Sequence, residues 1–439
     1  MGCTASRVPA DPAEVSRRQS TSMFADHARS KSRHGTLSGA VDGSVTIGGG
    51  ADGVVRVEYA ARTRPTKKDQ DRFIVAPHGA DGLVLAITDG HSVHDMTSGR
   101  VHAEVAARHL GGDLWKRVQP HLATAEAAEA RERGLPSTAL AAGATACFTD
   151  HQAVCERRYH RDVAARLLEE KRKLEEEIGE ELPLELPQEG GTTATALALH
   201  SGGLLVAWVG DSRAVLALTP DAPAGPWFAE VAQRSAAGGG GGGDGGKSGS
   251  TSGDAAGGLR VLALTADHNT ADAAELRRLE GAGGKVGKGA MNSHVSVPSA
   301  EGSLKVTRSL GDSPFHKDGA VSAEPGLVHV PLTLPDAAFA VVASDGVWDH
   351  LSNEAVVDIV AKAMRDGGRD PSRGVTGGAP APPPVRKQRT NSVATTLAGA
   401  ACDAVLDAIE AGQASGQLGD GQDDRAIAVL LLSPEAARI

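Results

Sequence analysis

The chain has 439 residues, 40% apolar but only 3% aromatic, so its core must rest on Val, Leu, Ile and Ala. A net charge of −10 argues against non-specific nucleic-acid binding, which needs clustered Lys and Arg against the phosphates. Cys3, Cys147, Cys155 and Cys402 form no CxxC pair and match no zinc spacing. A reducing compartment is therefore expected, and no apolar run approaches the roughly 20 residues of a membrane-spanning helix.

Residues 1–48 are rich in Ser, Arg and Gly without periodicity and read as a disordered tail. The tail opens Met1-Gly2-Cys3-Thr4-Ala5-Ser6, which fits the pattern for myristoylation of Gly2, with Cys3 placed to take a palmitoyl group. One acyl chain holds weakly and a second makes attachment stable. Six basic residues against three acids in residues 1–36 favour an anionic leaflet, so a cytoplasmic protein docked on a membrane surface is expected.

Val54–Arg62 reads as the first strand, followed by Asp71–Ala76 and Leu83–Ile87 across a His-Gly-Ala-Asp-Gly turn. Met96 to about Leu122 is helical in pattern, and 151–182 is a charged, solvated helix. Strands follow in "TATALALH" and "LLVAWVGDSRAVLAL", with Gly210-Asp211-Ser212-Arg213 read as a hairpin turn. Low-complexity inserts near 233–258 and 367–390 flank a short helix over "TADAAELRRLEGAGG" and strands "LVHVPL" and "FAVVAS". Helices in "SNEAVVDIVAKAMRD", opened by Ser352, and "VATTLAGAACDAVLDAIEAG" precede a last strand, "AIAVLLL". Strands in neighbouring pairs with grouped helices point to an α+β sandwich of two mainly antiparallel sheets flanked by helices, one domain over 49–435.

Acids recur at the strand ends: Asp71, Asp89, Asp345, and Asp423 with Asp424. Each alone is ordinary turn chemistry. Brought together they would repel, and hard oxygen-seeking cations such as Mg²⁺ or Mn²⁺ relieve that repulsion.

The motifs "ITDGH", "GGTTATALAL", "VAWVGDSRAVL", "LTADHN", "LKVTRSLGD", "VSAEPGL", "VVASDGVWDHLSNEAVV" and "DDRAIAVLLL" carry a resemblance. In this order the chain resembles the metal-dependent Ser/Thr protein phosphatases (PPM, type 2C), most closely their plant and protist branch, over about 54–433. The resemblance implies a four-layer αββα sandwich with two Mg²⁺ or Mn²⁺ ions in a cleft at one edge. It implies that Asp89 bridges the ions, the Gly90 carbonyl binds one of them, Asp345 and Asp423 ligate the other, and Asp71 holds bound waters. His91 is implied as the acid that protonates the leaving oxygen, water as the attacking group, and phosphoserine and phosphothreonine proteins as substrates. A monomer is the default expectation.

Several residues depart from the family pattern. Gln70 stands where many relatives carry Glu, which removes one charge. Gln188 and Glu189 stand where an acid for a third metal is common, Asp424 is the alternative to Asp423, and no phosphate-binding arginine is evident, leaving Arg64, Lys67 or Lys68. These departures support a second reading: a catalytically weak scaffold that binds phosphopeptides. Asp211 and Arg213 read as turn residues, Arg308 and Asp312 as fixing a loop beside the cleft, and Trp348 as core. Ser20 and Ser392 follow basic residues and resemble kinase sites.

Overall fold

The computed structural model describes residues 38–48, 55–92, 96–159, 189–222, 225–237, 252–254, 258–287, 294–297, 300–332, 337–372 and 395–434, apart from 301, 318, 420 and 422, with scattered positions between 161 and 176. In chain order the elements are β1 (Ala40–Ile47), β2 (Val55–Arg64), β3 (Asp71–Pro77), β4 (Gly82–His91), α1 (Met96–Leu122), α2 (Ala125–Arg131), α3 (Thr138–Arg158), β5 (Gly191–Thr192), β6 (Ala194–His200), β7 (Gly203–Val209) and β8 (Arg213–Leu218). There follow α4 (Pro226–Ala237), β9 (Ser252–Asp254), β10 (Arg260–Ala263), α5 (Ala273–Gly281), β11 (Lys285–Gly287), β12 (His294–Ser296), β13 (Leu310–Gly311), α6 (Ser313–His316), β14 (Gly326–Pro331), β15 (Ala337–Ala343), α7 (Asp345–Trp348), α8 (Asn353–Asp366), α9 (Leu397–Ala414) and β16 (Arg425–Pro434).

Two antiparallel sheets form the centre. One runs β1-β2-β16-β15-β8-β10-β9; the other runs β13-β5-β4-β6-β7-β14, with β3 added to β4. The period-2 alternation of strands sorts the side chains between layers. On β16, Ala426, Ala428, Leu430 and Leu432 enter the core between the sheets, while Ile427, Val429 and Leu431 face α8 and α9. On β4, Leu83, Leu85 and Ile87 face inward, and Val84 and Ala86 pack under α1 and α3. Both faces of each sheet are therefore covered, giving helix, sheet, sheet, helix. Each fully buried Leu, Ile or Val contributes roughly 1.5–3 kcal/mol.

The helices begin where capping chemistry allows. Ser352 Oγ accepts the Ala355 N–H at 3.2 Å to open α8, and Asp272 caps α5 through Ala274 and Glu275. A smaller apolar cluster of Leu279, Val295, Val297, Leu304, Phe315, Ala320 and Val321 lies under α5, β11 and β12, and forms a flap.

The structure corrects three expectations. Ala40–Ile47, assigned to the tail, is a strand paired along β2 from Ala40↔Arg62 to Ile47↔Val55. Val41, Val45 and Ile47 pack onto the inter-sheet core, so the domain starts before residue 49. Gly210–Ser212 is not a hairpin: β7 pairs with β6 and β14, β8 with β10 and β15, so the chain crosses between sheets there. Gly210, at φ +95°, takes the left-handed turn that this crossing requires. Helices α2 and α4 and the first part of α3 were not anticipated, while the last turns of α3, 151–158, fall within the charged helix expected over 151–182.

Candidate metal centre and active site

One end of the sandwich collects, from both sheets, the start of β3, the end of β4, the β7–β8 crossing, the end of β15 and the approach to β16. They surround a cavity of about 310 Å³ whose lining includes Asp89, Gly90, His91, Asp211, Asp345, Asp423, Lys68 and Lys305. Register does the placing: Asp71 and Asp89 are directly opposite on β3 and β4. Like charges so placed destabilise a sheet unless something intervenes.

Asp71 is buried behind Asp89, and its Oδ2 accepts the Ser344 hydroxyl at 2.6 Å. Burial pushes its carboxyl up to about 8; the Ser344 bond opposes this, and the negative charges of Asp345 and Asp424 add to it. Asp89 is raised well above the carboxylate range by burial and then by Asp71, Asp345, Asp423 and Asp211. Asp345, at the first turn of α7, rises to about 6 through burial and the charges of Asp423 and Asp349. Asp211 rises to about 8 through burial and then Asp345 and Asp267. Asp423 is held by Lys68 Nζ at 3.0 and 3.2 Å.

Among the described residues no three His, Cys, Asp or Glu side chains close on one point as a ready ligand shell. Asp89 instead stands among the carboxyl groups of Asp71, Asp345, Asp423 and Asp211, whose charges oppose its ionisation. Burial and mutual repulsion both favour the protonated forms, so this set retains protons unless a cation replaces them. All the donors are oxygen, with a backbone carbonyl at Gly90, which is the chemistry Mg²⁺ and Mn²⁺ prefer. The residues therefore fit a hard divalent cation. Gly90 also has no room for a side chain: a Cβ would lie 2.3 Å from the Gly99 carbonyl oxygen.

His91 stands at the cavity with Nε2 2.7 Å from Asp312 Oδ2. Asp312 is buried, adopts φ +49°, and also accepts the Ser309 hydroxyl at 2.6 Å through Oδ2. Burial alone would lower the imidazole pKa, but the charge and hydrogen bond of Asp312 outweigh it and the net shift is upward. The loop over "TRSLGD" thus orients the imidazole.

Asp71, Asp89, Gly90, His91, Asp345 and Asp423 are brought together, Asp71 as the layer behind Asp89. Asp424 is occupied elsewhere: its carboxylate accepts the Thr66 N–H, the Thr66 hydroxyl at 2.7 Å and the Gln70 N–H at 2.6 Å, shaping the loop ahead of β3. Arg64 pairs with Asp407 and Glu410, away from the cavity. Glu189 is buried against His102 at 3.3 Å and is not among the cavity lining. Arg213 is a buried structural cation, bonded to Asp267 at 2.8 and 3.1 Å and to Asn353 at 3.0 Å. Trp348 is buried and donates to the Ala343 carbonyl at 2.8 Å. Gly2, Cys3, Ser20, Gln188 and Ser392 lie outside the described residues.

Sequence reasoning missed Asp211 as a cavity residue and Asp312 as the partner of His91. The signal for Asp211 was the unbroken apolar character of both flanking strands, which suits two strands each buried on both faces in different sheets.

The family model Protein phosphatase 2C matches residues 139–222 and 250–376. That span contains Asp211, Asp312 and Asp345; Asp71, Asp89, His91 and Asp423 lie outside it and meet them through the fold. Probable protein phosphatase 2C 27 of Oryza sativa subsp. japonica is 31% identical over 185 residues, covering 40% of this chain and 38% of that protein. Probable protein phosphatase 2C 2 of Arabidopsis thaliana is 30% identical over 170 residues, 39% and 32% of the two chains. The chain thus spans under two fifths of the length of these relatives. A serine-threonine phosphatase 2C from Toxoplasma gondii shares the fold, with a TM-score of 0.54 at 17% identity over 90% of this chain and 100% of that one.

Proposed function

We propose that this chain, which is similar to the protein phosphatase 2C family over the matched residues, is a metal-dependent protein serine/threonine phosphatase. The observation that carries this reading is the meeting of Asp89, Asp345, Asp423 and His91 on one cavity, with Asp71 behind. Asp89, Asp345 and Asp423, with the Gly90 carbonyl, would hold two Mg²⁺ or Mn²⁺ ions, and Asp211 stands beside them. Such ions, when bound, supply a lowered pKa to water and offset charge on the phosphoryl oxygens.

The chain's own residues supply orientation and a proton. Ser344 fixes Asp71 behind Asp89, and Asp424 holds the Thr66–Gln70 loop that carries Lys68 to Asp423. Asp312 occupies Nε2 of His91, which leaves Nδ1 as the atom to give a proton to the departing serine or threonine oxygen. Hydrolysis of para-nitrophenyl phosphate with Mn²⁺, with EDTA and with Asp89→Asn tests this. Turnover that needs the metal and is lost in D89N supports it; turnover indifferent to both refutes it. Absence of turnover with any metal would favour the phosphopeptide-binding scaffold, which the charge lost at Gln70 supports.

We also propose that Gly2 and Cys3 are acylated and hold the protein on a membrane surface, since the first six residues fit the acylation pattern beside a basic segment. Among the described residues no helix is long and apolar enough to cross a membrane. Equal detergent-phase partitioning of wild type and Gly2→Ala would refute acylation.

A further inference from the structure

We propose that Lys305 is a substrate-positioning residue that receives a phosphoryl oxygen of the bound phosphomonoester from the flap side of the cavity. The inference rests on the phosphatase reading of this site and deepens it.

Backbone bridges on either side place Lys305. Leu304 is bridged to Val295 by bonds of 2.7 and 2.9 Å in both directions, and Val306 is bridged to Asn269. Leu304 and Val306 are 5% and 4% exposed, with Leu304 in the flap's apolar cluster. The residue between these two anchored, buried positions is left on the outer side of the bend. That residue is Lys305, which is exposed and lines the cavity.

The segment is anchored on its C-terminal side. Thr307 donates its hydroxyl to Glu275 at 2.8 Å, and Arg308 donates Nε to the same carboxylate at 3.0 Å. Lys305 is thus carried on a fixed piece of backbone, as a positioning group must be.

Charge points to the ligand. Lys305 faces the carboxylates of Asp345, Asp349, Asp211 and Asp423, yet forms none of the ion pairs within 4.0 Å found among the described residues. Lys68, the other lysine of the lining, is already bonded to Asp423. With divalent cations on those aspartates, the carboxylates turn to the metal, and the ammonium faces a region that gathers negative phosphoryl oxygens. An ammonium donates charge-assisted bonds to such oxygens. The alternative is that Lys305 only offsets the charge of the acids; removing it would then change cation affinity and leave phosphate affinity alone.

The test uses the full chain as wild type, Lys305→Met and Lys305→Arg. Inorganic phosphate is titrated calorimetrically into each protein in saturating Mn²⁺, Mn²⁺ affinity is measured separately, and kinetics are run on a phosphothreonine peptide. The expected result is a loss of about tenfold or more in phosphate affinity for K305M, a KM that rises more than kcat falls, Mn²⁺ affinity equal or tighter, and substantial recovery in K305R. Unchanged phosphate affinity in K305M, or a loss that tracks weakened Mn²⁺ binding, would overturn the assignment. Wild-type turnover judges the phosphatase reading separately. Phosphate titration judges Lys305 whether or not the wild type turns over, and a wild type that binds no phosphate with Mn²⁺ present overturns the assignment too.

Discussion

Glu275 offers the sharpest test of how the flap is held beside the catalytic end of the sandwich. It is 3% exposed and accepts four bonds: from Arg308 Nε at 3.0 Å and Nη2 at 2.5 Å, Arg278 Nη2 at 2.9 Å and Thr307 Oγ1 at 2.8 Å. Burial alone would raise its pKa, but the Arg308 bonds and charge, then Arg278, hold it down to about 2 against an ordinary 4.5. That difference is worth about 3 kcal/mol at most. Water reaching the arginine side chains, 18% and 27% exposed, screens part of it, so about 2 kcal/mol is expected. Because the folded-state pKa lies below the unfolded one, the stabilisation is full above about pH 4.5 and is lost as pH falls towards 2. Glu275→Gln keeps the shape and loses the charge. Urea unfolding at about pH 6 should show the variant about 2 kcal/mol less stable, and the gap should narrow by roughly 1 kcal/mol near pH 3.5. Hydrogen exchange should place the loss in Thr307–Leu310 and α5. A gap that stays constant or widens on acidification would refute the electrostatic account of this anchor.

Asp211→Asn should weaken Mn²⁺ binding by about tenfold in calorimetry, because it removes one of the carboxylates around the cavity; unchanged affinity would return Asp211 to a purely structural role. Gly90→Ala should abolish turnover and lower the melting temperature together, since its Cβ meets backbone oxygen at 2.3 Å with no flexible side chain to give way. Asp267→Asn should cost about 3 kcal/mol in chemical denaturation by leaving Arg213 buried and under-compensated, with Arg213→Met in the same chain recovering part of that loss.

Much of the fold was legible because burial is written in periodicity. Strand β16 alternates its apolar residues between two layers, and every second side chain in β2 and β15 does the same. What escaped notice lacked that signal. Strand β1 carries Gly43, Ser44 and Asp42 among its apolar residues and so looked like tail; its pairing comes from long-range register with β2. Helix α2 and the first part of α3 are mostly Ala, Thr and Glu with a few large apolar anchors, Leu140 and Phe148, spaced too thinly for a local pattern. The β7–β8 connection looked like a hairpin because Gly-Asp-Ser suits a turn in either topology, and only tertiary pairing decides between them.

The site was legible to a different degree, and the reason is electrostatic. A lone aspartate at a strand end satisfies local turn chemistry, so its presence says little. Four at the ends of strands far apart in the chain become informative only when topology sets those ends at one end of the sandwich, as it does here for β3, β4, β15 and β16. Asp71 opposite Asp89 is the critical pairing, because in that register the two carboxyls cannot both ionise at low cost, and burial with mutual repulsion holds them towards the protonated form. Such a pairing opposes folding by itself, and it makes sense as an arrangement completed by a cation. The groups that tune the site, Asp312 for His91 and Ser344 for Asp71, stayed hidden because each acts across more than 200 residues of sequence and through a single hydrogen bond. Lys305 was hidden for the opposite reason. Its role is set by its two buried neighbours, which turn an otherwise ordinary exposed lysine to face the carboxylates of the catalytic end.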